Sequence, residues 1–228
     1  MSGGTDGSSG ILSSHLLGAA SANTGIYALA DHGVTVGFIS GHSTDSDWTT
    51  INSFAKAQGI YWVLAGPANT ALATLSTSKK AQGIDSPFCK VMAGDWVYFN
   101  DTVNGQIRLV SPAGYVAGRL ANLSPEQSSL NKPLFGVVGT EKSHNGEFYS
   151  SAEIQEFAEA GVDLIANPSP GGDYYSCRIG HNASTNPTVN GDNYTRLTNF
   201  IAATLDKGLG QYIGRLQSST VRSSAKAT

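Results

Sequence analysis

Between residues 34 and 93, short apolar runs alternate with amphipathic runs of helical length, and this alternation limits the fold more than any other feature. Residues 34–39 (VTVGFI), 60–65 (IYWVLA) and 88–93 (FCKVMA) are rich in β-branched and aromatic side chains, as buried strands are. Between the first two, residues 47–58 put Trp48, Ile51, Phe54 and Ala55 on one helical face and stop at Gly59. Asp45-Ser46-Asp47 offers that helix a side-chain cap, and Asn69 offers one to a helix carrying Ala71, Leu72, Leu75 and Lys79-Lys80. Parallel strands need crossover connections, which a helix between each pair of strands supplies. The pattern predicts an α/β fold with a mostly parallel sheet flanked by helices.

Asn104-Gly105 separates two strand-like runs and predicts a β-hairpin embellishment over residues 96–110. Residues 111–140 (SPAGYVAGRLANLSPEQSSLNKPLFGVVGT) then join this region to a second helix–strand set, and read as a packing surface. Ser111-Pro112 opens a helix whose small face, Ala113, Gly114, Ala117 and Gly118, is expected to sit close to the sheet. A polar loop over residues 122–132 and an apolar strand complete the stretch; the loop is either a contact between copies or a plain solvated loop. Residues 150–160 form a helix with Ser150 or Ser151 as cap, and strands follow at 162–166 and 174–179 around a forced loop at 167–172. A long helical pattern from residue 192 carries Leu197, Phe200, Ile201, Leu205, Leu209, Tyr212, Ile213 and Leu216. Residues 218–228 are polar with no capping signal. The abrupt glycine-rich start and the unfinished end are expected of a piece of a longer protein.

Composition sharpens what kind of surface this fold carries. Charged residues make up 14% of the chain, against roughly 25% in an ordinary soluble domain. Its 27 glycines, with abundant Ser, Thr, Asn and Ala, stand in for them. Interspersed charge keeps proteins apart, so this surface is either loop-rich or built to pack against copies of itself. A net charge of −3 and a pI near 5.9 give no basic footprint for nucleic acid. Mean hydropathy is −0.13, no run approaches a membrane span, and the N-terminus has no signal-peptide pattern, so a soluble chain is expected. Cys89 and Cys177 have no CxxC partner and sit in apolar settings, which predicts buried free thiols.

Several residues deserve weighing as reaction centres. Asp6, Asp31, His32, His42 and many serines supply the residue types of a hydrolase triad, but the GxSxG elbow is absent. His42, in Ser40-Gly41-His42-Ser43 with Asp45 nearby, follows a strand where α/β proteins bind ligands, although a solvated loop is the commoner reading. Gly3-Gly4-Thr5-Asp6-Gly7 lacks a preceding strand and a GK[ST], so its glycines are read as turn formers, with Asp6 holding a turn. The five histidines (His15, His32, His42, His144, His181) are isolated, and Lys79-Lys80 reads as a solvated helix face. No residue is named as catalytic, cofactor-binding or metal-ligating; no cofactor is expected, and the chain is read as a non-enzyme.

In order and spacing, several stretches resemble the contractile tail sheath proteins of myophages and prophages, the Mu-like tail sheath family. They are SGGTDG at residues 2–7, Tyr115-Val116-Ala117-Gly118-Arg119 with Ala121-Asn122, Asn131-Lys132-Pro133, Leu164-Ile165-Ala166-Asn167, the strand ending at Gly180, and the long helix after Asn193. Where the family often carries Gly-x-Arg-Thr, this chain reads Gly180-His181-Asn182-Ala183-Ser184-Thr185. The resemblance implies a tail-sheath-like α/β core over residues 1–187 and the beginning of a C-terminal α+β domain over residues 188–228, apparently truncated. It further implies a structural subunit of a contractile phage tail, assembled in the bacterial host cytoplasm and carried in the virion. The implied partners are other copies in a helical sheath and the tail tube protein, with no nucleic acid and no membrane; contraction drives the tube through the host envelope. The alternatives are an α/β hydrolase-type enzyme and the sheath subunit of a non-viral contractile injection system.

Overall fold

The computed structural model describes residues 10–168, 174–216 and 218–227; the glycine-rich opening and most of the Pro-Gly turn lie outside them. In chain order the elements are α1 (Ser13–Leu17), β1 (Val36–Gly37), α2 (Trp48–Gln58), β2 (Tyr61–Ala65), α3 (Leu72–Ala81), β3 (Cys89–Met92), β4 (Val97–Asp101) and β5 (Gln106–Val110). There follow α4 (Pro112–Asn122), β6 (Val137–Thr140), α5 (Glu141–His144), α6 (Ser151–Glu159), β7 (Ile165–Ala166), β8 (Ser176–Cys177), α7 (Asp192–Leu209) and α8 (Ser219–Ala227).

The three predicted strands form a parallel sheet in the order β1-β2-β3. Beyond β3, Asp163 continues the parallel pairing through the bridge Met92–Asp163, with Ala93 N–H donating to the Asp163 carbonyl at 2.7 Å. From there β7 pairs with β8 antiparallel, and Leu130 and Leu134 bridge to the far side of β8. The hairpin forms as predicted, but β6 joins it as a third strand, in the order β5-β4-β6. Residues 111–140 therefore tie one sheet to the other: α4 packs on the parallel sheet, Leu130 and Leu134 run beside β8, and β6 pairs with the hairpin.

Two apolar layers lie on either side of the parallel sheet. On one side α2 buries Trp48, Ile51, Phe54 and Ala55 against Trp62 and Leu64. On the other, α4 buries Ala113, Val116, Ala117 and Leu120 against Tyr61, Val63 and Ala65. Successive strand residues point to opposite faces, which is why β2 is buried along its whole length. The face of α4 differs from the sequence reading. Ala113 and Ala117 of the expected small face do pack on the sheet, together with Val116 and Leu120, but Gly114 and Gly118 turn away from it, Gly118 into open space.

Other boundaries move for identifiable reasons. β1 spans two residues because it has a single neighbour, β2, and Phe38 then leaves the sheet. Asp47 does not cap α2, since its carboxylate is taken by His42. Asn69 does not cap α3 either: it adopts a left-handed conformation (φ 56°) and donates its N–H to Glu141, leaving Ala71 at the cap. Residues 219–227 are helical, because the Ser218 hydroxyl accepts from Val221 N–H and supplies the cap that the sequence was read as lacking. Both cysteines are buried free thiols.

Gly37 marks where the sheet is tightest. A Cβ built there meets the Trp62 ring at 2.6 Å, and Trp62 is fixed in the core. Gly37→Ala is expected to cost about 1–3 kcal/mol through overpacking. The urea midpoint measures it; an unchanged midpoint would show that the Trp62 ring has room to shift.

Candidate functional site

The most concentrated chemistry lies inside the molecule. Lys90 sits mid-strand in β3, and its ammonium, with no exposed surface, donates to Asp163 Oδ2 at 2.5 Å, to the His181 carbonyl at 2.8 Å and to Asp192 Oδ2 at 3.2 Å. Each carboxylate is held in turn. Asp163 accepts backbone N–H groups from Leu164, Ile179 and Gly180. Asp192, the first residue of α7, accepts the Ser129 N–H and the Ser129 hydroxyl. One centre thus joins β3, the strand that follows it in the sheet, the loop before β6, the turn at 180–181 and α7.

The electrostatics follow from burial and pairing. Burial opposes the charge on Lys90, but Asp163 and Asp192 more than offset it and hold the ammonium well above its usual pKa. Burial likewise opposes charge on Asp192, yet Lys90 and the serine hydroxyls keep its carboxyl below the ordinary range. Lys90 and Asp192 are therefore ionised at neutral pH. A protonated lysine is not a nucleophile. Among the described residues, none of the principal clefts is lined by Lys90, Asp163 or Asp192. The centre is a lock between elements distant in the sequence.

Arg196, one turn further along α7, extends the lock. Its guanidinium donates to the carbonyls of Leu120 (2.6 Å), Leu123 (2.8 Å) and Gln127 (2.9 Å), closing the C-terminal end of α4. Asn193 donates to the Glu126 carbonyl from the same turn. The loop over residues 122–132 is consequently pinned from within, while the Glu126 carboxylate faces outward and accepts from the Ser124 hydroxyl. From Phe200 onward the helix leaves the core: Phe200, Ile201, Leu205 and Leu209 are all substantially exposed.

The residues weighed from the sequence fall elsewhere. His42 is not in a solvated loop; it is buried, with Nε2 2.9 Å from Asp47 Oδ2, and its ring bonds to that carboxylate rather than to a serine hydroxyl. His32 is exposed, and Asp6 lies outside the described residues. Lys79 is likewise not solvated: its ammonium donates to the Ala160 carbonyl at 2.6 Å, and burial lowers its pKa to about 8, against the pull of Asp85. Among the described residues no group of three or more His, Cys, Asp or Glu is arranged to hold a metal. No described helix is long and apolar enough to cross a membrane. Lys90 and Asp163 are not among the candidates named from the sequence, although each is a charge within an apolar run, and that interruption is the signal that points to them.

No protein-family model matches the chain, and no curated protein matches it significantly. Solved structures do. The sheath complex of an extracellular contractile injection system (PVC), in the contracted state, is 14% identical with a TM-score of 0.64 over 85% of this chain and 52% of that one. The contracted baseplate of the anti-feeding prophage (AFP) is 15% identical, TM-score 0.62, over 91% and 57%. The contracted helical sheath of the same system is 13% identical, TM-score 0.57, over 79% and 48%. The chain spans about half the length of these proteins and shares their fold.

Proposed function

We propose that this chain is a structural, non-enzymatic subunit of a contractile sheath, stacking helically with copies of itself around a tube. The observation that carries the reading is the likeness of most of the chain to proteins named as contractile sheaths. The interior supports it. The strongest chemistry in the molecule, at Lys90, welds α7 to the sheet instead of opening to substrate. A subunit that transmits force needs such a rigid body, with rearrangement confined to its surfaces. We read residues 1–187 as the core and residues 188–228 as the start of a second domain, with α7 as the connecting element. The loop over residues 122–132 is a proposed contact between copies.

Within this class we favour a phage tail sheath carried in the virion, on the order of the sequence motifs named above. The sheath of a non-viral injection system is the second reading, favoured by the systems to which the similar structures belong. Purified at high concentration and imaged by negative-stain electron microscopy, the chain is expected to form rings or tubes. Dispersed monomers under every condition would overturn the sheath reading. Assembly unchanged by substitution of Glu126 and Lys132 would remove the loop over residues 122–132 from the contact.

A further inference from the structure

An open groove of about 720 Å³ lies beside α4, within the size range of ligand sites. Gly114 and Gly118 floor it, and Phe38, Phe99 and Phe135 wall it. Two of those rings are costly to leave in water: Phe38 is 43% exposed and Phe135 76%. The charges are one-sided. Among the described residues Arg108 and Arg119 line the groove and no carboxylate does, in a chain whose net charge is −3; Arg108 is already paired with Asp101 at 3.5 Å, which leaves Arg119 as the cation that faces a ligand. The Arg119 guanidinium lies 5.7 Å from the centre of the Phe135 ring, and its buried Nε has no hydrogen-bond partner among the described residues. This chemistry fits an aromatic side chain next to a carboxylate.

The chain itself displays that pair on the opposite side of the hairpin sheet. Phe99 points into the groove, so its neighbour Tyr98 points the other way, where its ring lies 4.9 Å from His144. Directly after His144 comes a tight turn. Gly146 takes φ 77°, and the N–H groups of Gly146 and Glu147 donate to Ser143 and Lys142 at 3.1 Å, which presets the loop. It presents Glu147, which is exposed, and Phe148, which is 74% exposed.

We propose that the groove receives residues 146–148 of a second copy, with Phe148 among Phe38, Phe99 and Phe135 and the Glu147 carboxylate facing Arg119. Plug and socket occupy opposite faces of one sheet, so the contact is head-to-tail and propagates, as a helical array requires. The inference rests on the sheath reading in taking a copy of this chain as the occupant.

The test uses the full chain and a fluorescent peptide of residues 143–150 (SHNGEFYS), followed by anisotropy. Binding is expected, and a Phe→Ser change in the peptide should weaken it about 10- to 100-fold, the worth of burying one ring. Arg119→Glu should weaken binding comparably, and a peptide carrying Glu147→Arg should restore it. Gly118→Leu should block the groove with the fold intact, since a side chain there meets open space. No binding to the unaltered chain at about 1 mM peptide, the weak limit for a specific contact, would overturn the proposal. So would tubes that form equally from the unaltered chain, Phe148→Ser and Gly118→Leu, a result that leaves the sheath reading standing. Peptide binding without any tubes would support this contact and count against the sheath reading.

Discussion

Replacing Lys90 with methionine is expected to cost about 3–5 kcal/mol, because it strands two buried carboxylates without a cation. A loss of that size is a large share of the 5–15 kcal/mol that typically holds a domain together. The pH dependence distinguishes this cause from lost packing. In the unaltered chain the Asp192 pKa is depressed, so its contribution is fully present above the unfolded value and is lost as pH falls through the folded one. The raised pKa of Lys90 acts only far into the alkaline range, where its contribution would be lost. The unaltered protein should therefore weaken below about pH 4, the unfolded value of an Asp. In the Lys90→Met variant the sign reverses. Asp192 loses the ammonium that held its carboxyl below the ordinary range while burial still opposes its charge, so taking up a proton there becomes favourable and the variant should gain stability as pH falls from 7 to 5. Urea midpoints at both pH values measure this, and an equal loss at both would refute the account.

The second large effect is expected at Arg196. Arg196→Met keeps the length of the stem but leaves the carbonyls of Leu120, Leu123 and Gln127 without their donor. The Leu120 carbonyl keeps the Leu123 N–H, so the loss falls mainly on Leu123 and Gln127; unsatisfied buried groups cost about 1–3 kcal/mol each, and a total near 2–4 kcal/mol is expected with partial access to water. The damage should be local. Amide hydrogen exchange should accelerate across residues 120–131 and the first turns of α7, while β2 and β3 stay protected. Arg196→Lys should recover less than half, because one ammonium cannot span three carbonyls as a planar fork does. Uniform acceleration across the sheet would mean that Arg196 supports the whole core and not the seam between α4 and α7.

The parts of the fold legible in the sequence are those set by local pattern. β2 and β3 read correctly because continuous apolar runs mark strands buried on both faces. The α6 capping box was legible because Ser150 and Glu153 act on each other at short range. The errors came from distant partners competing for local signals. Asp47 looked like a cap and serves His42; Asn69 looked like a cap and serves Glu141; Lys79 looked solvated and reaches Ala160. The central site was half legible. Lys90 and Asp163 each interrupt an apolar strand, yet nothing local pairs them, and Asp192 stands at an ordinary helix start. The groove was illegible for a different reason: the glycines of α4 were seen as a packing face, and only the sheet contacts show that they point outward.

The spacing of the Lys90 centre also sets an order of events. Its partners stand 73 and 102 residues away along the chain. Closing such loops must precede the reward from them, which slows folding. Before Asp192 arrives, Lys90 has only one of its two carboxylates, and drying it out is least favourable then. The last stage of folding is therefore expected to be the seating of α7, with water leaving Lys90 in that step. Until α7 has been synthesised, a growing chain keeps the middle of its own sheet wet, and the interior becomes dry only when that helix closes over it.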